Sequence, residues 1–596
     1  MDVFKSKSGV SVRAHKGDAM TLLAMDLDKS KTKDFTGFSI FVIPPILGSK
    51  GFFLFNRISY SLEVQKKNNI DPKANVTMDT APLQKFRWVH TPNTNHNINQ
   101  FIYGKYIYQV TPRYLVDNVL QPLDPTLTVS VAIDVSPYKS GDFQIGFTRG
   151  FIESQAFTRH FGLNNATRPN KTDLIFDITQ KAGPLAADKK KFPQLQDYTY
   201  EDVHKWLGWQ ARVVVMDFLE EAKKPNNTLD VFAFDLDEPL ICDTLIKFGA
   251  ASAGKVRIIL DDSKDHTKTG ALEAVFDEQY RQKAKDPNTL VRGHFASLAH
   301  SKVFILKTAG RPVKVLTGST NFSTNGIYIN ANHVLVFNNP KVAAAYEQAF
   351  ERSFSVALMK VFSSTDCAIN PFEFNIKKTP VTTIRFSPHT KEVATGFFDE
   401  ISKRILAARS DVLFAIMKDN SASSILSAVL KQVKSSKIFT YGITDVIGEK
   451  TEIMLYKPNS RRGVRIAGKP GAFILPPPFT AEAKIPGISV HHKFVVVDFK
   501  GADPTVYCGS SNLAFGPEQK NGDNLITIRD KDAVTAFAIE AIRLVDHFHF
   551  FNQLSLEGQQ TGKTTLFLHD SSEAQWFTPY YDSKDLLFVE RTLLIK

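Results

Sequence analysis

The sequence predicts an α/β protein of two similar lobes behind a β-rich start. Three observations carry that expectation. Short aromatic and β-branched runs fill residues 1 to about 170. From about residue 200 strands alternate with helices, and the same βαβ order returns in the second half. A polar cluster at the mouth of an apolar strand also occurs twice, with the two copies offset by 191 residues. The expected division is 1–170 for the β-rich part, 171–370 for the first lobe and 371–596 for the second.

The chain of 596 residues is too long for one core. Hydrophobic content of 43% against 22% charged residues describes a globular protein and not a disordered one. A net charge of +12 suits an anionic partner such as phosphate, nucleic acid or a lipid headgroup surface. Charge alone does not choose among these, and solubility would explain it equally well. Cys242, Cys367 and Cys508 are far apart, which argues against a disulfide framework and a cysteine-rich zinc site. The first residues lack the apolar run of a signal peptide. No stretch approaches the roughly 18 apolar residues needed to span a bilayer. The expectation is a soluble, cytoplasmic protein that meets a membrane, if at all, as a peripheral substrate surface.

In the β-rich part, SIFVIPP (39–45), FFLFNRISYSLEV (52–64), KFRWVH (85–90), YGKYIYQVTPRYL (103–115), TVSVAIDV (128–135) and FQIGFTRGF (143–151) read as strands. The pattern suggests an immunoglobulin-like or fibronectin-like sandwich. It contains no catalytic constellation, and His90 and His96 read as surface or packing residues. Further on, LDVFAFDL (229–236) is a strand, EPLICDTLIKFGAAS a helix and KVRIILDD (255–262) a strand. SDVLFAIM (410–417), SASSILSAVLKQVKSS and KIFTYGITD (437–445) repeat that order.

The duplication sharpens at the polar cluster. The second copy has His491-His492-Lys493, FVVV, Asp498, Gly509-Ser510-Ser511-Asn512 and Asp523-Asn524. The first has His300-Ser301-Lys302, VFIL, Lys307, Gly318-Ser319-Thr320-Asn321 and Asn332-His333. The interval from His to Gly is 18 residues in both copies, and that from Gly to Asn332 or Asp523 is 14. A duplicated hairpin without chemistry would account for the spacing. It would not account for the matching His, Lys, Ser and Asn.

At these residues the chain resembles the phospholipase D superfamily, whose HxKxxxxD signature is followed by GSxN. Among its members it most resembles a non-secreted bacterial phospholipase D. The second motif is complete, whereas the first has Lys307 at the aspartate position. The resemblance covers roughly residues 200–596 and implies a bilobal phospholipase D-like fold in which both strand ends meet at one cleft. It implies a phosphodiesterase needing no metal and no cofactor. His300, Lys302, His491 and Lys493 would be catalytic, and Ser319, Asn321, Ser510 and Asn512 would bind substrate. Asn332, Asp523 and Asp498 would support them. The lysines and amides form a fixed electrostatic clamp on phosphorus. One histidine attacks to give a phosphohistidine, and the other protonates the departing alcohol. In relatives a polar residue after GSxN orients the histidine of its own lobe, so Asn332 would serve His300 and Asp523 would serve His491. A carboxylate favours imidazolium, which assigns His300 as nucleophile and His491 as acid. Strand alternation turns His492 to the opposite face. The aspartate replaced by Lys307 has a structural role in the family, so its loss should alter local salt-bridging and leave activity possible.

The segment 458–490, rich in Gly and Pro and carrying Arg461, Arg462 and Arg465, reads as a loop over the cleft that meets an anion. A solvated connector explains it equally well. Phe473 and Phe479 suit an acyl chain or a nucleobase. Three functional readings follow. The first is hydrolysis, or transfer to alcohols, of the headgroup phosphodiester of a phospholipid. The second is a metal-independent nuclease acting on DNA or RNA. The third is a non-catalytic protein binding anionic ligands. Two diverged motifs in one chain favour the lipid, and retention of both histidines disfavours the third reading.

Overall fold

The computed structural model describes every residue except 1, 57, 73–75, 93–100, 151–154, 165, 419–422, 436, 447–452, 469–488, 562–566 and 572–574. His96, Phe473 and Phe479 therefore lie outside the described residues.

The N-terminal strands are β1 (Asp2–Lys7), β2 (Val10–Lys16), β3 (Thr21–Leu27), β4 (Phe35–Ile43), β5 (Phe52–Phe53), β6 (Arg87–His90), β7 (Gly104–Val116), β8 (Val119–Leu120) and β9 (Val129–Val135). They form two antiparallel sheets, β1-β2-β3-β6 and β5-β4-β7-β8, with β9 also on β7. In β9 alternate residues Val129, Val131, Ile133 and Val135 are buried, as a sheet with one wet face requires. Val10, Val12, Leu23 and Met25 of one sheet share a core with Phe38, Ile40, Val42, Tyr106, Tyr108 and Val110 of the other. Each such side chain contributes roughly 1.5–3 kcal/mol. The order β1-β2-β3-β6 differs from the ABED order of immunoglobulin domains. The chain end completes this core: Phe577 and Tyr580 belong to it, and His15 Nε2 lies 2.9 Å from the Leu594 carbonyl oxygen.

The strand expected over 143–151 does not join the sandwich. It falls into β10 (Lys139–Ser140) and β11 (Phe143–Phe147), which are outer strands of the first lobe's sheet. After a short ribbon of β12 (Lys181–Gly183) and β13 (Tyr198–Thr199) come β14 (Asn227–Ala233), β15 (Val256–Leu260), β16 (Leu290–Arg292), β17 (Val303–Thr308), β18 (Arg311–Gly318) and β19 (His333–Phe337). The sheet order is β10-β11-β19-β18-β17-β14-β15-β16. The second lobe has β20 (Phe372–Phe374), β21 (Val381–Phe386), β22 (Asp411–Lys418), β23 (Phe439–Val446), β24 (Val464–Ala467), β25 (Phe494–Val497), β26 (Thr505–Gly509) and β27 (Asn524–Arg529), ordered β20-β21-β27-β26-β25-β22-β23-β24. The two sheets match strand for strand. β11 is thus the counterpart of β21, and the duplication begins near residue 139, inside the part expected to end at 170. The periodicity of β11 specifies a strand but not its partner. Likewise the segment expected to be loop over 458–490 contains β24, parallel to β23, while 469–488 lies outside the described residues.

In each lobe a parallel βαβ unit crosses over through one helix, Pro239–Ala251 or Ser424–Lys434. The lobes are joined by backbone hydrogen bonds related by a pseudo-twofold axis. Ala331 N donates to Ser489 O at 2.8 Å, and Gly522 N donates to Leu298 O at 2.8 Å. Ala331 and Gly522 immediately precede the orienting residues, and Ser489 and Leu298 lie two residues before the motif histidines, so the lobe interface itself sets the site.

Candidate active site

The strand ends that carry the motifs converge at this interface. β17 opens on the apolar run Val303–Leu306 directly after Lys302, and the wholly apolar β25 follows Lys493. Burial of Val303–Leu306 and Phe494–Val497 in the sheets fixes the backbone from which each His and Lys projects. All four motif side chains are buried, from 1% exposure for the lysines to 5% for His491.

The histidines are held across the interface and not within their own lobes, which corrects the expected pairing. His300 Nδ1 lies 2.6 Å from Asp523 Oδ1, and His491 Nδ1 lies 3.0 Å from Asn332 Oδ1. The reason is the pseudo-twofold packing. Residues 331 and 522 bond to the chain segments that lead into the opposite motif, so the next residue faces the opposite histidine. The Asn332 amide has one orientation, because its Nδ2 donates to Gly326 O at 2.9 Å while Ser319 Oγ donates to its Oδ1 at 2.7 Å. Its oxygen can only accept from His491, so Nδ1 of that ring carries hydrogen and, in the neutral ring, Nε2 carries the lone pair. The carboxylate Asp523 likewise accepts from His300 Nδ1. The exchange removes the ground on which His300 was assigned as nucleophile, since the amide partner belongs to His491.

Ser319 and Ser510, expected beside substrate, are turned to the orienting residues Asn332 and Asp523. Ser319 Oγ bonds Asn332 and accepts from His333 N at 3.1 Å, and Ser510 Oγ accepts from Asn524 N at 2.9 Å. Both are fully buried. Lys302 Nζ donates to His300 O, and Lys493 Nζ donates to His491 O at 2.7 Å. Among the described residues Asn321 Oδ1 and Asn512 Oδ1 are buried without a hydrogen-bond partner.

The four motif groups are all displaced from their ordinary proton affinities. Burial lowers the Lys302 pKa to about 8 against the carboxylates of Asp523, Asp235 and Asp261. Burial and the Lys302 charge hold Lys493 well below the ordinary lysine value. Burial lowers His300, which Asp523 partly offsets. His491 falls well below the usual imidazole value through burial and the charges of Lys493, Lys302 and His300. Each of these groups gains affinity for its proton when a phosphate anion sits among them.

Asp498 stands apart from this cluster. Its Oδ1 accepts from Arg409 N and Ser410 N, both at 2.8 Å, and its Oδ2 accepts from Arg404 at 2.9 Å. It ties the chain entering β22 to the end of β25. At the matching place Lys307 Nζ pairs with Asp230 at 2.6 Å, and Asp230 also takes Arg257 at 2.7 Å. The replaced aspartate therefore reverses the sign of a structural ion pair outside the motif cluster. His492 points away from the cleft, fully buried, with Nδ1 3.1 Å from His333 Nδ1 and Nε2 3.2 Å from Glu540. Arg465, expected on a loop meeting an anion, is a buried residue of β24.

Sequence reasoning missed Asp261 and Asp445. Asp261 Oδ2 accepts from Ala299 N at 2.7 Å, and Asp445 Oδ1 accepts from Ser489 N and Val490 N at 2.7 and 2.8 Å. Ala299 and Val490 precede the two motif histidines, so each aspartate grips the backbone that delivers one. The signal was present: the strands 255–262 and 437–445 both reach an aspartate at the matching position. Asp235, His266 and Glu273 have donor atoms close enough to hold a cation, as do Asp230, Glu347 and Glu351. His266 already spends both ring nitrogens on carboxylates, and Arg257 and Lys307 neutralise the second group. Both clusters are ion-pair networks.

Residues 215–354 match the family described as "Cardiolipin synthase, PLD-like domain". No curated protein matches the chain. Among solved structures, phosphatidylserine synthase of Haemophilus influenzae Rd KW20 is 12% identical, with a TM-score of 0.37 over 55% of this chain and 83% of that one. Polyphosphate kinase of Porphyromonas gingivalis is 10% identical, with a TM-score of 0.37 over 96% of this chain and 78% of that one. Nuc of Salmonella typhimurium, a phospholipase D family member, is 22% identical, with a TM-score of 0.18 over 24% of this chain and 85% of that one. With the family match in its first lobe and the motif doubled across two matching sheets, the chain contains a phospholipase D-like domain.

Proposed function

We propose that the protein cleaves the headgroup phosphodiester of a glycerophospholipid through a covalent phosphohistidine on His300, passing the phosphatidyl group to water or to an acceptor alcohol. The observation that carries this reading is the crossed pair of imidazoles. Each ring has Nδ1 tied to the opposite lobe, which leaves Nε2 as its reactive atom, and each stands beside a buried lysine.

His300 is the nucleophile on a ground different from the sequence argument. Burial keeps its ring neutral despite Asp523, so Nε2 holds a lone pair. Attack on phosphorus leaves a phosphorylated ring that still carries Nδ1–H and is therefore cationic. Asp523 stabilises that cation and changes little in the ground state, which is what lowers a barrier. His491, whose proton affinity rises when the anion binds, donates from Nε2 to the oxygen leaving phosphorus as the P–O bond breaks. It then takes a proton from water or an alcohol, whose oxygen attacks phosphorus and breaks the P–N bond. Lys302 and Lys493 hold the non-bridging oxygens throughout.

The lipid is favoured by the description of the matching family, a cardiolipin synthase domain, and by the presence of both motifs in one chain. The test compares choline release from phosphatidylcholine with cleavage of plasmid and single-stranded DNA, in chelator, for wild type and His300→Ala. Choline release should dominate and disappear in the variant. DNA cleavage without choline release would replace the lipid by nucleic acid, and lipid turnover surviving His300→Ala would end the mechanism.

The lysine clamp also sets a pH limit. Lys302 must be charged to hold phosphate, and its pKa in the free protein is about 8. As pH rises through that value the charge is lost, so kcat/KM should fall on the alkaline side near pH 8. Because kcat reports the substrate complex, its limb should lie higher. Steady-state profiles between pH 5 and about 10, near the ordinary lysine value, check this; a flat kcat/KM across pH 8 would contradict it.

A further inference from the structure

The first lobe carries a chain of charged groups that the mechanism above does not use. Asp235 accepts from Asn321 Nδ2 through Oδ2 and lies 2.9 Å from His266 Nε2 through Oδ1. His266 Nδ1 is 2.8 Å from Asp261 Oδ1, and Asp261 Oδ2 accepts from Ala299 N at 2.7 Å. The chain therefore runs from a clamp amide to the backbone directly before His300. We infer that Asp235, His266 and Asp261 are positioning residues that set the first-lobe half of the phosphate clamp, chiefly by deciding which end of the Asn321 amide faces the ligand. This rests on the clamp reading given above.

A side-chain amide can face a ligand in two ways. Asn321 could present either its N–H or its oxygen to a phosphoryl group, and the oxygen would repel an anion. A carboxylate at Oδ2 of Asp235 accepts only from Nδ2, so the flipped state loses that bond and places two oxygens together. Asn321 Nδ2 has two hydrogens; one is held by Asp235 and the other remains for a phosphoryl oxygen. Asp235 keeps its place because His266 bridges it to Asp261. Both ring nitrogens face carboxylates, which favours the imidazolium form, and against the effect of burial the two carboxylates raise its pKa to about 10. Glu273, whose pKa burial raises to about 7, borders the chain and accepts from Leu236 N at 3.2 Å. Arg292 donates to the carbonyls of Asp261 and His266 at 2.9 and 3.1 Å, which fixes the segment between them.

The chain also shares a wall with the nucleophile. The Phe234 ring stands edge-on to His266 at 4.6 Å and to His300 at 4.8 Å, with Lys302 Nζ 4.8 Å from its centre. Consecutive residues directly after β14 thus touch both halves of the lobe's machinery: Phe234 touches the ring and the lysine, and Asp235 touches the amide.

The test is a double-mutant cycle between Asp235 and Asn321. It reads inorganic phosphate binding by calorimetry and turnover of bis(p-nitrophenyl) phosphate, a phosphodiester that belongs to neither substrate class. Asn321→Ala should weaken phosphate binding about tenfold, the loss of one hydrogen bond to a charged group. Asp235→Ala should weaken it by a similar factor, and the double variant should bind no worse than either. Asp235→Asn, whose amide oxygen still accepts from Asn321, should recover part of the loss. Should Asp235→Ala fail to fold, Asp235→Asn with and without Asn321→Ala serves instead, since its residual deficit should vanish in the Asn321→Ala background. Losses that multiply in the double variant, or an Asp235→Ala that binds phosphate like wild type while Asn321→Ala does not, would overturn the inference alone. An Asn321→Ala that binds phosphate normally would overturn the clamp beneath it.

Discussion

His300→Ala should abolish turnover, by roughly 10²–10⁴-fold or more, since it removes the group that attacks phosphorus, while His491→Ala should stall at a different point. With an activated ester whose leaving group needs no proton, His491→Ala should still phosphorylate His300 and then accumulate the phosphoenzyme, since no base is left to activate water. Rapid quench with a labelled substrate, followed by peptide mapping, reads the two outcomes directly. Acid-labile label should map to residue 300 in wild type and more strongly in His491→Ala, and should be missing from His300→Ala. Label on residue 491 would reverse the roles.

The second large effect is expected at Asp523, in the lobe opposite the ring it serves. Asp523→Asn keeps an acceptor near His300 Nδ1 but removes the charge that offsets the phosphorylated cation. Uncoupling a buried charge pair of this kind costs about 3–5 kcal/mol, which corresponds to a kcat loss of at least about 10²-fold. The sign of the pH effect is fixed. Asp523 raises the His300 pKa, and burial lowers it below the ordinary value. Removing the carboxylate lowers it further, so the neutral nucleophile persists to lower pH and the acid limb of kcat/KM moves down. Asn332→Asp should do the reverse to His491, raising its pKa by placing a carboxylate at its Nδ1. NMR titration of the two rings in these variants checks the crossing: an Asp523→Asn change felt by His491 and not by His300 would restore the same-lobe pairing.

Much of the site was legible because its residues sit at fixed distances along strands. The offset of 191 residues, and the intervals of 18 and 14, place His, Lys, Ser, Asn and the orienting residue at matching strand ends. A strand projects its side chains with a fixed period, so equal intervals mean equal geometry in each lobe. The placement of His492 on the far face followed from the same alternation, and it is buried against His333 and Glu540. The grip of Asp261 and Asp445 on the chain before each histidine was written in the two strand endings, but a single aspartate at a strand end is too common to be singled out until its partner is seen.

What the sequence determined by itself is local and periodic: two copies of one βαβ plan, a doubled motif, and which residues share a strand end. Tertiary structure decided the pairings. Asp523 serves His300, Asn332 serves His491, β11 leaves the sandwich for the first lobe's sheet, and the chain end returns to the N-terminal core. Hydrophobic period and motif spacing fix which way a side chain points relative to its own backbone. Which surface it meets depends on how whole sheets dock, and that is set by the sum of many nondirectional apolar contacts that no interval along the chain encodes.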